Sequence, residues 1–360
     1  MSHQENAPIS ITPGAIRFNT DSMKLEYFRI GMEAEGTASY AGIGTLAAGE
    51  WVQLTTDSPD IQTGGTRGIC AGGFVPSPDA TTRINFFNIS TTSNAETFGD
   101  LTQKRYALAG VSSRVRGLFA GGRTDPSPTA RFSTIDEITI ASTGGATAYG
   151  DLDTQQVGPT GFSNGTRGVF AGGYNPTHTN KIQYVTIAVK EDAIDFGDLS
   201  GAKFGCGGVS NKTRGIIAGG QNPSGQINTI EFITISTLGN AADFGDLTQA
   251  RRLNGNDAAS NAVRGVFAGG VTPSNVNTID YITIATLGDA VDFGDLLEVN
   301  NSKSGCASPT RAVFSGGQVP ATTNSMEYVQ IMTTGNSIDF GDLTLSQESA
   351  SSLSNGHGGL

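Results

Sequence analysis

Residues 166–173 read TRGVFAGG. Five further copies run through the chain: TRGICAGG from Thr66, VRGLFAGG from Val115, TRGIIAGG from Thr213, VRGVFAGG from Val263 and TRAVFSGG from Thr310. Their arginines are Arg67, Arg116, Arg167, Arg214, Arg264 and Arg311, at spacings of 49, 51, 47, 50 and 47. A steady period of this length marks a repeat architecture. Two other strings keep the same beat. One is TIDYITIA from Thr278, with counterparts RINFFNIS, TIDEITIA, KIQYVTIA, TIEFITIS and SMEYVQIM. The other is aromatic-Gly-Asp-Leu, which sets Asp100, Asp151, Asp198, Asp246, Asp295 and Asp342 ahead of a leucine in every unit. A proline follows each glycine pair three or four residues on.

Each unit reads as strands parted by turns. RGVFAGG is a short β-branched and aromatic strand that ends in a turn signal, because Gly allows positive φ and the following Pro fixes φ. IDYITI is apolar on both parities, so both faces of that strand require cover. The stretch before each Arg-Gly step, such as RYALAGVSS, is a strand of small residues suited to a crowded axis. A four-stranded sheet of about 50 residues, buried on both faces and repeated six times, predicts an all-β, six-bladed β-propeller. An open β-solenoid is the rival, but its rungs are usually much shorter.

Composition agrees. The 360 residues include 50 glycines and only 7 lysines, which argues against a helical protein. Gly does not recur every third residue, so collagen is excluded. A hydrophobic share of 37% with 18 phenylalanines argues against disorder. The net charge of −11 disfavours nucleic acid and anionic membranes as partners. No apolar run reaches the length of a membrane span, and MSHQENAPIS lacks the apolar core of a signal peptide. Synthesis in a cytoplasm is the expectation. Cys70, Cys206 and Cys306 have no paired spacing, so they read as small buried side chains.

The domain reading is a small β-hairpin module over residues 1–60 and a propeller over residues 61–360. In the module, GAIRFN alternates, NTDS turns and KLEYF alternates back, with Trp51 expected to cover one face. The first complete unit lacks a small-residue strand before it, and SPDIQTGG does not look like one. The tail SASSLSNG parallels GPTGFSNG, so the strand near residues 349–356 is expected to complete the first blade.

The order of elements resembles the kelch repeat. That family carries a basic residue near the start of strand one, a double glycine ending strand two, and aromatics in strands three and four. The matching basic residues are Arg105, Lys203, Arg252 and Lys303, and the resemblance covers residues 66–356. Kelch units usually hold Trp where this chain has Phe or Tyr, so the chain looks like a divergent, kelch-like group. The wording of the repeat is similar to propeller repeats in virion proteins of tailed phages, particularly marine ones. PGAIRFNTDSMKLEYF, from Pro13, followed by GEWVQL, from Gly49, resembles a module of phage tail-fibre proteins.

The resemblance implies a virion structural protein, tail-fibre-like or a decorating appendage. Residues 1–60 would then meet other virion proteins and the propeller would meet a host-surface glycan or protein. Two alternatives stay open: a propeller that only docks neighbouring virion proteins, and a kelch-type lectin or enzyme unrelated to phage. Assembly of several copies is also left open.

No catalytic residue, metal site or cofactor is expected. A feature present in all six units is usually architectural, so the six arginines and six FGD aspartates are expected to pair with each other or to satisfy backbone groups. Asp195, Asp243, Asp292 and Asp339 precede the aromatic without any calcium-loop spacing. His3, His178 and His357 do not read as a metal triad, and the His pair and Cys–Tyr crosslink of the kelch-like copper oxidases cannot be assembled. Binding is expected on the face that carries the uneven loops after strands two and four. The candidate residues there are Phe74, Tyr106, Arg123, Arg131, Tyr174, His178, Gln221, Arg251 and Arg252.

Overall fold

A computed structural model describes residues 15–19, 24–30, 49–53, 66–76, 79–125, 130–253 and 257–360. The chain divides into two compact units, Met1–Gln62 and Thr63–Leu360. In the first, Ile16–Asn19, Lys24–Ile30 and Gly49–Gln53 form an antiparallel sheet in that order, with Ile16 opposite Tyr27 and Phe28 opposite Trp51. The expected turn at residues 20–22, the Trp51 side chain, SPDIQTGG and Pro126 lie outside the described residues.

The second unit is a six-bladed β-propeller. Blade two shows the plan: Ala109–Ser112, Arg116–Ala120, Thr134–Thr139 and Thr147–Asp151 pair antiparallel in chain order. Blades three, four and six repeat it, and blade five adds the short strand Val271–Thr272. Blade one joins the two ends of the repeat. Ser351–Ser354 is its inner strand and pairs with Arg67–Ala71, with Leu353 opposite Ile69.

The second strand is buried on both parities, because each sheet is sandwiched between neighbours. Val169 and Phe170 are adjacent, point to opposite faces, and are both buried. The apolar residues form six clusters, each filled from two consecutive blades. Val111, Leu118, Ile135 and Tyr149 of blade two pack with Phe170, Val185 and Ile187 of blade three. Val313, Met326 and Phe340 of blade six pack with Cys70, Phe87 and Ile89 of blade one. Burial thus stabilises six interfaces in series. Cys70, Cys206 and Cys306 are all free and buried.

The repeated arginines and aspartates do not pair with each other among the described residues. Each arginine starts the second strand and pairs with the end of the third, whereas each FGD aspartate pairs with a third-strand residue five places earlier, as Arg67 with Asn88 and Asp100 with Arg83, so they stand at opposite ends of the blade. The arginines instead bind neighbouring blades. Arg214 stacks 4.9 Å from the Phe232 ring centroid and donates to the Ile284 and Ala285 carbonyls of blade five at 3.1 and 2.9 Å. Arg67, Arg167, Arg264 and Arg311 repeat both contacts around the ring. Arg116 faces Glu137 instead of an aromatic, at 3.3 Å, and reaches the Ile187 carbonyl.

The FGD segment makes the complementary link. The N–H groups of Asp151, Asp198, Asp246, Asp295 and Asp342 donate to an Asp or Asn side chain in the next blade's turn, as Asp198 does to Asn240 Oδ1 at 3.0 Å. The carboxylates of Asp100 and Asp151 accept from Thr82 and Ser133 at 2.8 and 2.9 Å. The glycine is needed because the next blade comes so close: a Cβ on Gly245 would sit 2.5 Å from the Gly288 carbonyl oxygen.

Candidate functional site

Each blade is entered by a short crossover that runs from the leucine of FGDL to the inner strand. In four blades a buried cation clamps that crossover. Arg105 pairs with Asp136 at 2.9 Å, Arg251 with Asp280 at 3.0 Å, Lys303 with Glu327 at 2.8 Å, and Lys203 with Glu231. The same carboxylate also grips the beginning of the crossover. Asp136 accepts from the Thr102 N–H at 3.0 Å and the Thr102 hydroxyl at 2.7 Å. One acid on the third strand therefore fixes both ends of the incoming segment.

The other two blades change both partners together. Blade three has Gln156 and Gln183 at these positions, and blade one has Gln347 and Asn85, all four buried; Gln183 accepts from the Asp153 N–H at 3.0 Å and Gln347 donates to Cys70 Sγ at 3.3 Å, so the amides bond to other partners. Neutral amides at both positions avoid the desolvation that a buried charge pair must offset. In the crossover into blade six, Asn300 occupies the usual cation position and Lys303 supplies the charge from three residues later.

The buried pairs correct one assignment. Arg251 and Arg252 are both expected as loop residues for ligand, and Arg252 also as the basic residue of its repeat. The structure gives the repeat position to Arg251, wholly buried on Asp280, and leaves only the half-buried Arg252 facing a cavity.

The residue five places after the FGDL leucine reaches the mouth of the propeller axis. There it forms an antiparallel bridge to the residue just past the glycine pair. The bridges are Tyr106 to Arg123, Phe204 to Gln221, Arg252 to Val271, Asn301 to Gln318, Val157 to Tyr174, and Glu348 to Phe74. The chain then bends at the axis, with positive φ at Ala107, Ser302 and Ser349. Backbone bonds tie those bends across blades, as Gly158 donates to the Ala107 carbonyl at 2.8 Å.

A cavity of about 340 Å³ lies in this mouth, walled by Tyr106, Arg123, Val157, Tyr174, Phe204 and Arg252. Its rings are in mutual contact. Tyr174 and Phe204 have centroids 5.9 Å apart, and His178 lies 5.5 and 5.2 Å from them. Three arginines cover the aromatic faces: Arg123 at 4.9 Å from Tyr106, Arg131 at 5.4 Å from Tyr174, and Arg252 at 5.5 Å from Phe204. Arg131 donates to Asn175 Oδ1 at 2.7 Å and Arg252 to Gln221 Oε1 at 2.9 Å. Tyr106 donates its hydroxyl to Asp125, and burial with that carboxylate pushes the phenol up to about 12. Burial draws the Arg252 guanidinium down from its ordinary value, and the buried Asp257 carboxylate opposes it. Phe74 packs edge-on against Tyr106 at 5.5 Å.

Eight of the nine expected loop residues thus belong to the mouth or its supports, and Arg251 does not. Phe204 and Val157 were missed. Their signal was positional, because the residue five places after the FGDL leucine is Tyr, Val, Phe, Arg, Asn or Glu, different in every unit.

The opposite end of the axis is closed. Ser112, Ser163, Ser210, Ser260 and Ser354 end the inner strands, and their hydroxyls donate to the carbonyl of the adjacent strand, as Ser163 does to Ser112 at 2.8 Å. His357 and Gly358 lie over this ring. His357 Nδ1 accepts from the Gly359 N–H at 3.1 Å, so Nε2 carries the proton and donates to the Ser112 carbonyl at 3.2 Å. The axial space left is about 50 Å³. No group of His, Cys, Asp and Glu suited to a metal ion occurs among the described residues.

No protein-family model matches the chain, and no curated protein matches it in sequence.

Proposed function

We propose that the chain is a non-enzymatic virion component of a tailed phage, a tail-fibre-like or decorating appendage whose propeller mouth takes a saccharide on the host surface. Residues 1–60 attach it to neighbouring virion proteins. The carrying observation is the mouth: an aromatic and arginine-lined cavity whose walls include Tyr106, Val157, Phe204 and Arg252, four of the six bridge positions at which the repeat varies. Aromatic faces with a few fixed polar groups are the usual make-up of a small-ligand pocket. The repeat wording and the segment from Pro13 support the virion assignment through resemblance.

The test is to locate the chain in purified particles and to add free protein during adsorption. Particle association and slowed adsorption are expected. A chain absent from particles refutes the virion role, and undiminished adsorption refutes host contact.

A second reading, a propeller that only docks virion neighbours, is favoured by the opposite rim. Val189, Leu238, Leu287 and Met332 lie in the turns between third and fourth strands, each more than half exposed. Alanine at these four positions reduces incorporation under that reading and leaves it unchanged under the first.

A further inference from the structure

We infer that the mouth binds the carboxylate-bearing ring of an acidic saccharide; this rests on the saccharide reading above. Tyr174 and Phe204 line one wall of the cavity with ring planes at 50° to each other, and His178 packs against both, so they form an angled aromatic platform against which the apolar face of one pyranose can rest. A neutral sugar would use that platform alone. The arginines demand more. The Nε–H groups of Arg123 and Arg252 are buried and have no hydrogen-bond partner in the protein. Arg252 spends one donor on Gln221 and its guanidinium carbon sits over the Phe204 ring at 5.5 Å from the centroid, which leaves the rest of its guanidinium fork beside the platform. A carboxylate matches such a fork with two parallel hydrogen bonds, and stacking pre-organises the guanidinium for it.

Charge distribution points the same way. The chain is acidic, with 33 Asp and Glu against 22 Lys and Arg, yet Arg123, Arg131 and Arg252 converge on this opening. The acids facing them are Asp125, shared by the Tyr106 hydroxyl and by Arg123 Nη2 at 4.0 Å, and the buried Asp257, whose charge acts on Arg252. A cavity of about 340 Å³ lies at the small end for ligand pockets and admits one or two sugar rings. Its walls come from different blades, so an extended peptide backbone finds no sheet edge there to pair with.

Calorimetric titration of the full chain with four probes tests this: a galacturonate trisaccharide, sialyllactose, and the methyl ester of each. At least one acid is expected to bind, and its ester at least tenfold more weakly. Arg252→Gln should weaken the acid at least tenfold with an unchanged melting temperature, and Arg252→Lys should recover only part of it. If Arg252→Gln fails to fold, Arg123→Gln and Tyr174→Ala give the same readout. Equal binding of acid and ester overturns the inference and leaves the saccharide reading standing. Binding that survives these substitutions overturns the placement at the mouth. Binding of none of the probes, or of a glutamate-rich peptide in their place, overturns the inference outright, while the adsorption assay still judges the function.

Discussion

Gly358 donates its backbone N–H to the Ser260 carbonyl at 2.9 Å, and does so at the one station of the axial serine ring that has no hydroxyl. Five inner strands end in a serine that serves its neighbour's carbonyl, whereas the sixth ends in Ala307. The segment from His357 thus completes a hydrogen-bond circuit that the blades leave open.

This arrangement predicts a pH response. Burial pulls His357 down from 6.5 to about 4. Its folded value lies below its free value, so its contribution to the closure is full above about 6.5 and is lost as pH falls toward 4. Protonation of Nδ1 removes the acceptor of the Gly359 N–H, and Arg114 opposes the added charge. Amide exchange at Gly358 and Gly359 should accelerate through that window, and His357→Gln should flatten the response. A His357 imidazole that titrates near 6.5 by NMR would contradict the burial argument.

The clamp pairs predict non-additive stability. Arg105→Met leaves Asp136 buried with its charge unpaired, which should cost about 3–5 kcal/mol. Arg105→Gln together with Asp136→Gln copies blade three and should recover most of that loss. A double-mutant cycle in denaturant reads the coupling; additive losses would mean that the two residues act separately.

The FGD glycines predict a sharp contrast between two alanines. Gly245→Ala drives a Cβ to 2.5 Å from the Gly288 carbonyl oxygen at a φ of 149°, so it should destabilise by at least ~1–3 kcal/mol. Gly201→Ala meets nothing within 4 Å and should be neutral or slightly stabilising. Thermal melts of the two proteins decide it.

The inter-blade arginines predict a smaller, local loss. Arg214→Ala removes the stack on Phe232 and two charged donors to blade five, for a loss of about 1–3 kcal/mol. Hydrogen exchange should rise first at the amides of Thr283 and Ile284, beside those carbonyls. A uniform rise over all six blades would argue for a global effect instead.

Removal of residues 344–360 takes away the inner strand of blade one and bares the edge of Arg67–Ala71. A lower melting temperature and concentration-dependent aggregation are expected. An unchanged melt would show that the ring holds without that strand.

The six-bladed architecture was legible because a sheet covered on both faces must be apolar on both parities, and IDYITI or RGVFA shows this in every unit. The Arg-to-Asp pairing was not, because equal numbers carry no information on which end of a blade each residue occupies. Two adjacent arginines obscured the clamp. Counting four residues from Leu247 selects Arg251, whereas its neighbour resembles the repeat equally well. Phe204 was hidden for a related reason, since it follows a buried lysine and sits before a run of glycines. His357 gave no signal at all, because what fixes it is a carbonyl 245 residues earlier in the chain.

The crossover clamp has a further consequence. It anchors the backbone just before Tyr106, Phe204 and Arg252 and just after Asn301, so those side chains are displayed from a support that their own identity does not alter. The opening works as a six-character word, each character written by a different blade and editable by a single codon change. Under the proposed binding role, a population of such proteins can explore new specificities one letter at a time while the frame that displays the word stays the same.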